Sequence, residues 1–319
     1  MIEARGLRKT FARRGDVVTA VAGFDVDVGR GEIVGLLGPN GAGKTTTLRM
    51  LATLLAPTAG EAVVAGCDLL SEPQRVRRRI GYVAQGGVAA PEARPLEELV
   101  DQARLYGIGR GEAEARSRRL LERFALAAAA ARPVKTLSGG QRRRLDVAIG
   151  LVHDPRLVFL DEPTAGLDPQ ARVHLWDHIR SLRDDERVTV LLTTHYLDEA
   201  DALCDRIVIV DNGTIVAEGT PAALKNDLAG EHVTLAFASA DEAARATTAL
   251  SGPLETAPLL DGHRVHLEVA HAHAALPTIL AVVALAHLQP LTLEARPATL
   301  DDVFFARTGR ALRDDARAA

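Results

Sequence analysis

The chain has 319 residues, of which 47% are hydrophobic and 25% are charged, and its formal net charge is -4. This composition is ordinary for a soluble globular protein, and the length allows a full α/β core with a smaller second domain. The charge balance gives no general attraction to nucleic acid, and the longest apolar run, residues 279–286, is far below the roughly 20 residues that span a bilayer. No nucleic-acid partner and no membrane-spanning segment are therefore expected.

The start of the chain and its cysteines indicate the cellular compartment. The opening stretch MIEARGLRKTF lacks the continuous apolar run of a secretory signal, so we expect the chain to stay in the cytosol. Cys67 and Cys204 are isolated, which argues against a disulfide framework or a zinc site, and both are interpreted as small apolar core residues. Nearly all basic residues are arginine and alanine is abundant, which suggests a GC-rich bacterial source.

The first motif in chain order is a glycine-rich loop. A strand-like run at residues 32–38 leads into GPNGAGKTT at 38–46, and a helical pattern follows. This is the G-x-x-x-x-G-K-[ST] phosphate loop in the strand, loop and helix context that supports it. Glycines let backbone N–H groups wrap around phosphates, the lysine charge reaches the outer phosphates, and the hydroxyl that follows binds Mg²⁺. The residues expected to bind nucleotide are Gly38, Pro39, Asn40, Gly41, Ala42, Gly43, Lys44, Thr45 and Thr46, with Thr45 also a metal ligand.

A second glycine pair opens a predicted helix at LSGGQRRRLDVAIG, residues 137–150. Two glycines at a helix start lose much backbone entropy on folding, but they let N–H groups approach an anion that the helix dipole also favours. The pattern therefore predicts a second anion site. Arg142, Arg143 and Arg144 are interpreted as a solvated helical face, with Arg142 four residues from Asp146, rather than as a nucleic-acid patch.

Two apolar strand patterns follow, and each ends in polar groups. In RLVFLDEP (156–163) the acids would lie at the carboxyl edge of a parallel sheet, where Asp161 could hold hydrated Mg²⁺ and Glu162 could activate water. Taken alone, an acidic helix N-terminus explains them equally well. VTVLLTTH (188–195) ends in His195, which is interpreted as a γ-phosphate contact beside the loop, against the alternative of a hydrogen-bonded core histidine.

The order of these motifs resembles that of the ATP-binding subunit of an ABC transporter, over residues 1 to about 225. The sequence of parts is the phosphate loop, GYVAQ (81–85), LSGGQ, LVFLDE, AGLD (165–168) and TTH. The resemblance implies that two copies of the chain pair head to tail, so that LSGGQ of one copy clamps ATP held by the loop of the other. The residues that would contact a γ-phosphate supplied in trans are Ser138, Gly139, Gly140 and Gln141.

The same resemblance implies roles for three further residues. Phe11 stands where the family has an aromatic that stacks on adenine, although an ordinary strand aromatic is an equal alternative. Gln85 matches the glutamine that contacts Mg²⁺ and the attacking water and leads into the segment that touches the transmembrane partner; a polar turn residue is the alternative. Asp168 matches the loop that signals across the dimer interface, and it can also cap the helix that follows Pro169.

The domain organisation is predicted as an α/β core of the P-loop ABC ATPase type over residues 1–225, with a helical subdomain at about 86–150. From residue 231 onward, strand and helix patterns alternate as β-α-β-β-α-β, including a weak strand near ETAPLL, which predicts a small ferredoxin-like α+β domain over 231–319. No long heptad insertion and no second set of motifs appears, which disfavours the DNA-repair and ribosome-acting relatives.

The chain is further similar to the daunorubicin and doxorubicin resistance ATP-binding proteins, along nearly its whole length. The stretches that carry this resemblance are RMLATLL (49–55), SEPQRVRRRI (71–80), TTHYLDEADALCDRI (193–207) and TLDDVFFARTGR (299–310). In the last stretch Thr299 is a predicted helix cap that places Leu300, Val303 and Phe304 on one face.

The resemblance implies an ATPase that works with a separate permease at the cytoplasmic face of a bacterial membrane to export hydrophobic antibiotics. One alternative keeps the ATPase but changes the cargo to an ion, a lipid or a polysaccharide. Another is a soluble ABC ATPase that acts on nucleic acid or protein. In each case the cofactors expected are ATP and Mg²⁺.

Overall fold

The fold is taken from a computed structural model, which describes residues 1–13, 16–227, 231–252, 257–269, 272–296 and 298–308. These residues form two compact units, one within Met1–Pro221 and the other within Ala222–Ala311. Residues 309–310 of the closing motif, 255–256 of the weak predicted strand and 309–319 of the predicted second domain lie outside the described ranges.

The first unit is built from strands and helices that alternate along most of the chain. Its strands are β1 (Ile2–Arg13), β2 (Asp16–Val28), β3 (Ile33–Leu37), β4 (Ala59–Val64), β5 (Cys67–Asp68), β6 (Ile80–Val83), β7 (Leu157–Asp161), β8 (Thr189–Thr194), β9 (Arg206–Asp211) and β10 (Thr214–Gly219). Its α-helices are α1 (Lys44–Leu51), α2 (Pro73–Arg79), α3 (Pro95–Leu105), α4 (Arg110–Arg123), α5 (Gly139–Leu151), α6 (Pro169–Glu186) and α7 (Leu197–Leu203). Helix α8 (Pro221–Asp227) starts at the last residue of this unit, and its other residues belong to the second.

Six of these strands form the central sheet, in the order β10-β9-β3-β8-β7-β6. The pairings among β9, β3, β8, β7 and β6 are parallel, and β10 joins the edge antiparallel. All residues of β3, β7 and β8 are buried, as expected for strands covered on both faces. The strands predicted at 32–38, 156–163 and 188–195 are thereby confirmed. Because β3, β7 and β8 run parallel, the loops at their carboxyl ends meet at one edge of the sheet.

A four-stranded antiparallel sheet, in the order β2-β1-β4-β5, completes the core of this unit. Its inward side chains pack with α1 and with the central sheet in one apolar cluster that includes Phe24, Leu48 and Phe159. Helix α1 is shorter than its sequence pattern predicts, because it ends at Leu51 and is followed by Thr53 in a left-handed conformation with φ of 62°. Cys67 and Cys204 are buried and free, as expected.

The segment between β6 and β7 is mainly helical, as predicted. It contains α3, α4 and α5, with two short 3₁₀ turns at Ala127–Ala129 and Val134–Thr136. Helix α4 is polar and buries only Ala113, Ser117 and Leu121, whereas α5 is buried along most of its length. Helix α5 is therefore the element that ties this segment to the sheet.

The second unit contains β11 (Glu231–Ala236), α9 (Ala240–Leu250), β12 (Leu259–Asp261), β13 (Arg264–Val269), α10 (Ala272–Leu285), β14 (Thr292–Arg296) and α11 (Leu300–Thr308). Its strands form an antiparallel sheet in the order β12-β13-β11-β14. The helices and strands predicted here are confirmed, although β12 covers only the end of the predicted ETAPLL strand. In α11, Leu300, Val303 and Phe304 are buried together as predicted, and Thr299 Oγ1 accepts from the Asp302 N–H at 3.4 Å.

No helix among the described residues combines the length and the apolar content that a bilayer crossing requires.

Candidate functional site

The phosphate loop connects the buried end of β3 to the first turn of α1. It turns at Gly41 and Gly43, whose φ values are 82° and 100°. Gly43 precedes the helix, and a Cβ at this position would collide with the backbone oxygen of Ala20, so no larger residue fits. No side chain in the described part of the sequence caps the first turn of α1. The loop therefore presents the backbone N–H groups of a helix N-terminus, the arrangement that binds phosphate in this class of loop.

Lys44 is held against the same loop. Its Nζ donates to the carbonyl oxygens of Gly38, at 2.6 Å, and Pro39, at 2.9 Å, and the residue is 4% exposed. Burial lowers the pKa of the ammonium, while the nearby carboxylates of Glu162 and Asp161 raise it. The lysine is thus a buried cation between the loop and the acidic end of β7, where it can neutralise phosphate charge.

Asp161 ends β7 and is fully buried. Its Oδ1 accepts from Thr45 Oγ1 and from Thr193 Oγ1, both at 2.8 Å, and Tyr82 Oη donates to its Oδ2 at 3.4 Å. A hydroxyl from the loop and a carboxylate from the sheet are therefore adjacent, and such oxygen ligands suit Mg²⁺. Tyr82 and Thr193 are contacts that the sequence analysis missed.

Glu162 is the centre of a second cluster. Gln85 Nε2 donates to Glu162 Oε2 at 2.7 Å, and His195 Nδ1 lies 3.3 Å from Glu162 Oε1. The His195 ring beside the carboxylate lowers the pKa of Glu162, burial opposes this shift, and the charges of Lys44 and Arg143 add to the lowering. The carboxylate stays ionised at neutral pH. Of the three side chains predicted to be catalytic, Gln85 and His195 thus each lie beside Glu162.

The backbone of Glu162 is unusual for a residue with a side chain. Its φ is +45°, in the left-handed region that costs free energy outside glycine. The Glu162 N–H donates to Thr193 Oγ1 at 2.9 Å. This conformation turns the chain sharply at the end of β7, which explains how Asp161 and Glu162 face different partners.

The LSGGQ segment forms the N-terminus of α5. The N–H of Gln141 donates to Ser138 Oγ at 3.2 Å, and the N–H of Ser138 donates to Gln141 Oε1 at 3.0 Å, which is a capping box. A Cβ at Gly140 would lie 2.9 Å from Ala171 Cβ of α6, so this glycine also permits close helix packing. The glycine pattern predicted anion binding alone, and neither the capping box nor the close helix packing was expected from it.

Asp168 caps α6, since its Oδ1 accepts from the N–H of Ala171 at 2.8 Å. Phe11 is 40% exposed on β1, and Lys9 Nζ lies 5.3 Å from its ring centroid. Within the described chain, no hydrogen bond or ion pair joins Ser138–Gln141, Asp168 or Phe11 to the loop residues 38–46 or to the carboxylates. The site therefore divides into a catalytic cluster and a separate LSGGQ surface.

One expectation about α5 is wrong. Arg142 is exposed, but Arg143 is 6% exposed and Arg144 is half-buried, so the three arginines do not share a solvated face. Successive residues of a helix point about 100° apart, and Arg143 lies on the face that also carries Val147 and Gly150 toward the sheet. The buried carboxylate of Asp146 lies 4.0 Å from Arg143, and Arg143 replaces Arg142 as its neighbouring cation.

Comparison with known proteins agrees with this geometry. The ABC transporter family model matches residues 21–165. The chain is 42% identical to the daunorubicin/doxorubicin resistance ATP-binding protein DrrA of Streptomyces peucetius, over 98% of this chain and 94% of that protein. It is 38% identical to the Nod factor export ATP-binding protein I of Ralstonia nicotianae, over 98% of this chain and 95% of that protein. A bacterial ABC transporter cassette solved as a dimer matches with a TM-score of 0.64 at 26% identity, over 69% of this chain and 98% of that one.

The phosphate loop after β3 of a parallel sheet, with two carboxylates at the end of β7, the second strand along from β3, defines a P-loop ATPase. With the relatives above, the chain belongs to the ATP-binding subunits of ABC transporters, and it binds and hydrolyses ATP.

Proposed function

We propose that two copies of this ATPase pair head to tail around ATP and drive a separate membrane permease that exports hydrophobic drugs or antibiotics. The head-to-tail pairing is supported by the separation of the LSGGQ segment from the catalytic cluster of the same chain. Ser138 and Gly139 are exposed and make no hydrogen bond to the phosphate loop of their own chain. A second copy can supply them. The dimeric form of similar cassettes supports this arrangement, and the drug-resistance names of the relatives support the cargo.

In this proposal the phosphate loop and Lys44 bind the phosphates, and Thr45, Asp161 and Gln85 hold Mg²⁺. When bound, the metal neutralises charge on the phosphate oxygens. Glu162 accepts a proton from the attacking water, whose oxygen forms a bond to the γ-phosphorus as the bond to the β–γ bridging oxygen breaks, giving ADP and phosphate.

Further residues contact or sense the nucleotide in this arrangement. His195 contacts the γ-phosphate, and Phe11 stacks on the adenine. The partner contributes Ser138, Gly139, Gly140 and Gln141 to the γ-phosphate. Asp168 links the two sites across the interface, a role that its capping of α6 permits.

We propose residues 1–225 as the ATP-binding domain, with its helical subdomain at about 86–150, and 231–319 as an accessory domain. The strand order β12-β13-β11-β14 and the element order β-α-β-β-α-β support a ferredoxin-like arrangement for the latter. The protein then acts as a peripheral subunit at the cytoplasmic face of a bacterial membrane, through its permease.

Membrane fractionation tests the transporter assignment. We expect the protein to stay in the soluble fraction when expressed alone and to move to the membrane when co-expressed with a neighbouring gene product that has transmembrane helices. The cargo is tested by the resistance of the co-expressing cells to daunorubicin, with Glu162→Gln as the inactive control. A protein that stays soluble with its candidate permease contradicts the export role, and ATPase stimulation by nucleic acid would then favour the non-transport alternative.

A chain that ends after Lys225 tests the domain assignment. Lys44, Asp161 and Glu162 all lie in the first unit, so we expect the shortened chain to keep ATP binding and to lose assembly or coupling with the permease. Binding is measured by fluorescence of a labelled nucleotide, and assembly by co-purification. Loss of ATP binding in a fragment with normal circular dichroism would contradict the assignment.

A further inference from the structure

Arg143 is a buried cation whose hydrogen-bond partners among the described residues are all backbone carbonyl oxygens. Its Nε donates to Pro163 O and its Nη1 to Ala84 O, both at 2.6 Å, while its Nη2 donates to Asp161 O at 2.9 Å and to Glu162 O at 3.1 Å. One guanidinium thus joins the residues after β6 to the residues that end β7. These are the two segments that carry Gln85 and the catalytic carboxylates.

Asp146, one turn further along α5, binds the chain on the C-terminal side of Gln85. It is 6% exposed, and its Oδ1 accepts from the N–H of Val88 at 3.0 Å. The carbonyl of Ala84 and the N–H of Val88 lie on either side of Gln85 in the chain. The segment that carries Gln85 is therefore attached to α5 at both ends, by a cation and by a carboxylate of the same helix.

Arg143 also contacts the backbone of Glu162 where its conformation is unfavourable. The Glu162 carbonyl and the preceding Asp161 carbonyl share Nη2 of Arg143, while the Glu162 N–H is bound by Thr193. The left-handed φ of +45° is thus constrained on both sides of the Cα atom. Loss of the guanidinium frees the carbonyl side, and the carboxylate of Glu162 can then rotate away from Gln85 and His195.

We propose that Arg143 is a positioning residue that aligns Gln85 and Glu162 of its own chain, and that α5 connects this alignment to the Ser138–Gln141 segment. Arg143 lies five residues after Ser138, about 7.5 Å along the helix axis at 1.5 Å per residue. Because Ser138–Gln141 is assigned to the partner's ATP, this inference rests on the proposed head-to-tail dimer. Nucleotide engaged at one site would then align the hydrolytic groups of the other.

The first test compares Arg143→Gln and Arg143→Lys with Arg118→Gln, an exposed arginine of α4. We expect Arg143→Gln to lower kcat on the order of 100-fold, the effect of misplacing a catalytic group, with no change in the KM for ATP. The kcat of Arg143→Lys should lie between those of Arg143→Gln and the parent, because an ammonium reaches fewer carbonyl oxygens than a guanidinium. Arg118→Gln should have the same kcat and KM for ATP as the parent protein. An unchanged kcat in a folded Arg143→Gln protein overturns the proposal.

Mixed dimers separate positioning in the same chain from general damage to α5. In the first, an Arg143→Gln chain pairs with a Glu162→Gln chain, so the working Glu162 is beside the altered arginine. In the second, one chain carries both changes and its partner neither, so the working Glu162 lies beside an intact Arg143. We expect hydrolysis to fall in the first dimer and to persist in the second. Equal loss in both overturns the assignment of Arg143 to its own chain.

Hydrogen exchange distinguishes this inference from the proposed dimer. In the nucleotide-free chain, backbone amides of residues 84–88 should lose protection in Arg143→Gln and keep it in Arg118→Gln. Unchanged protection overturns the Arg143 assignment whatever the oligomeric state. If protection falls but the Glu162→Gln protein stays monomeric with ATP, the head-to-tail dimer and its link between sites fail, while positioning within the chain stands.

Discussion

Glu162→Gln is expected to abolish turnover while leaving ATP bound. Glutamine has the shape of glutamate and can still accept the hydrogen bond from Gln85 that Glu162 Oε2 accepts at 2.7 Å. It cannot accept a proton from water, and loss of a general base lowers a rate about 10²–10⁴-fold. Because hydrolysis is what separates the proposed dimer, size-exclusion chromatography with light scattering should show a species of twice the chain mass when ATP and Mg²⁺ are present.

The matched control for this change is Glu61→Gln, which alters an exposed carboxylate of β4. It should hydrolyse ATP at the parental rate and show no lasting dimer. A Glu162→Gln protein that binds ATP yet elutes only as a monomer would contradict the trans arrangement of the LSGGQ segment. Hydrolysis at the parental rate would instead contradict the assignment of Glu162 as the base.

Ser138→Arg is the second change with a large expected effect. Ser138 is exposed and lies outside the catalytic cluster of its own chain, so a single subunit should still bind nucleotide. In the dimer the new side chain occupies the place assigned to the partner's γ-phosphate, and hydrolysis should fall to the background rate. Nucleotide binding is measured by fluorescence titration and turnover by phosphate release.

Ser138 also caps α5, so part of the effect of Ser138→Arg could come from helix destabilisation, for which loss of a cap costs about 1 kcal/mol. Ser138→Gly removes the same hydroxyl without adding bulk, and glycine is a tolerated cap. It should therefore lose less activity than Ser138→Arg, because it removes only the hydroxyl assigned to the partner's γ-phosphate and adds no bulk. Ala128→Arg, at an exposed position of the helical segment, should leave turnover unchanged. Full hydrolysis by Ser138→Arg would show that LSGGQ does not contact the nucleotide.

The parts of the fold that could be predicted are those that depend on short, local stretches of sequence. The strand, loop and helix around Lys44 depend on local glycine spacing and on apolar runs, so β3 and the start of α1 lie where expected. The meeting of Asp161 with Thr45 also follows from parallel strands, whose carboxyl ends share one edge.

The contacts that could not be predicted depend on which way a helix faces. A run of three arginines looks like a polar surface, and only the packing of α5 onto the sheet shows that Arg143 points inward while Arg142 does not. Val147 and Gly150 follow Arg143 at helical spacing, which was the available sign that Arg143 lies on the buried face of α5. An arginine is usually assigned to the exposed face of a helix, so this sign was passed over. Thr193 was missed for a related reason, because its hydroxyl is buried inside a strand that reads as apolar.

The left-handed backbone of Glu162 has a consequence for how this protein changes under selection. Residues with a side chain in that region carry a cost of about 1–3 kcal/mol, which glycine would largely avoid. A laboratory evolution experiment that rewarded heat resistance alone would therefore favour Glu162→Gly and lose the enzyme. Only a screen that also demands turnover keeps the glutamate, so an active version of the chain retains this backbone cost and must gain its stability at other positions.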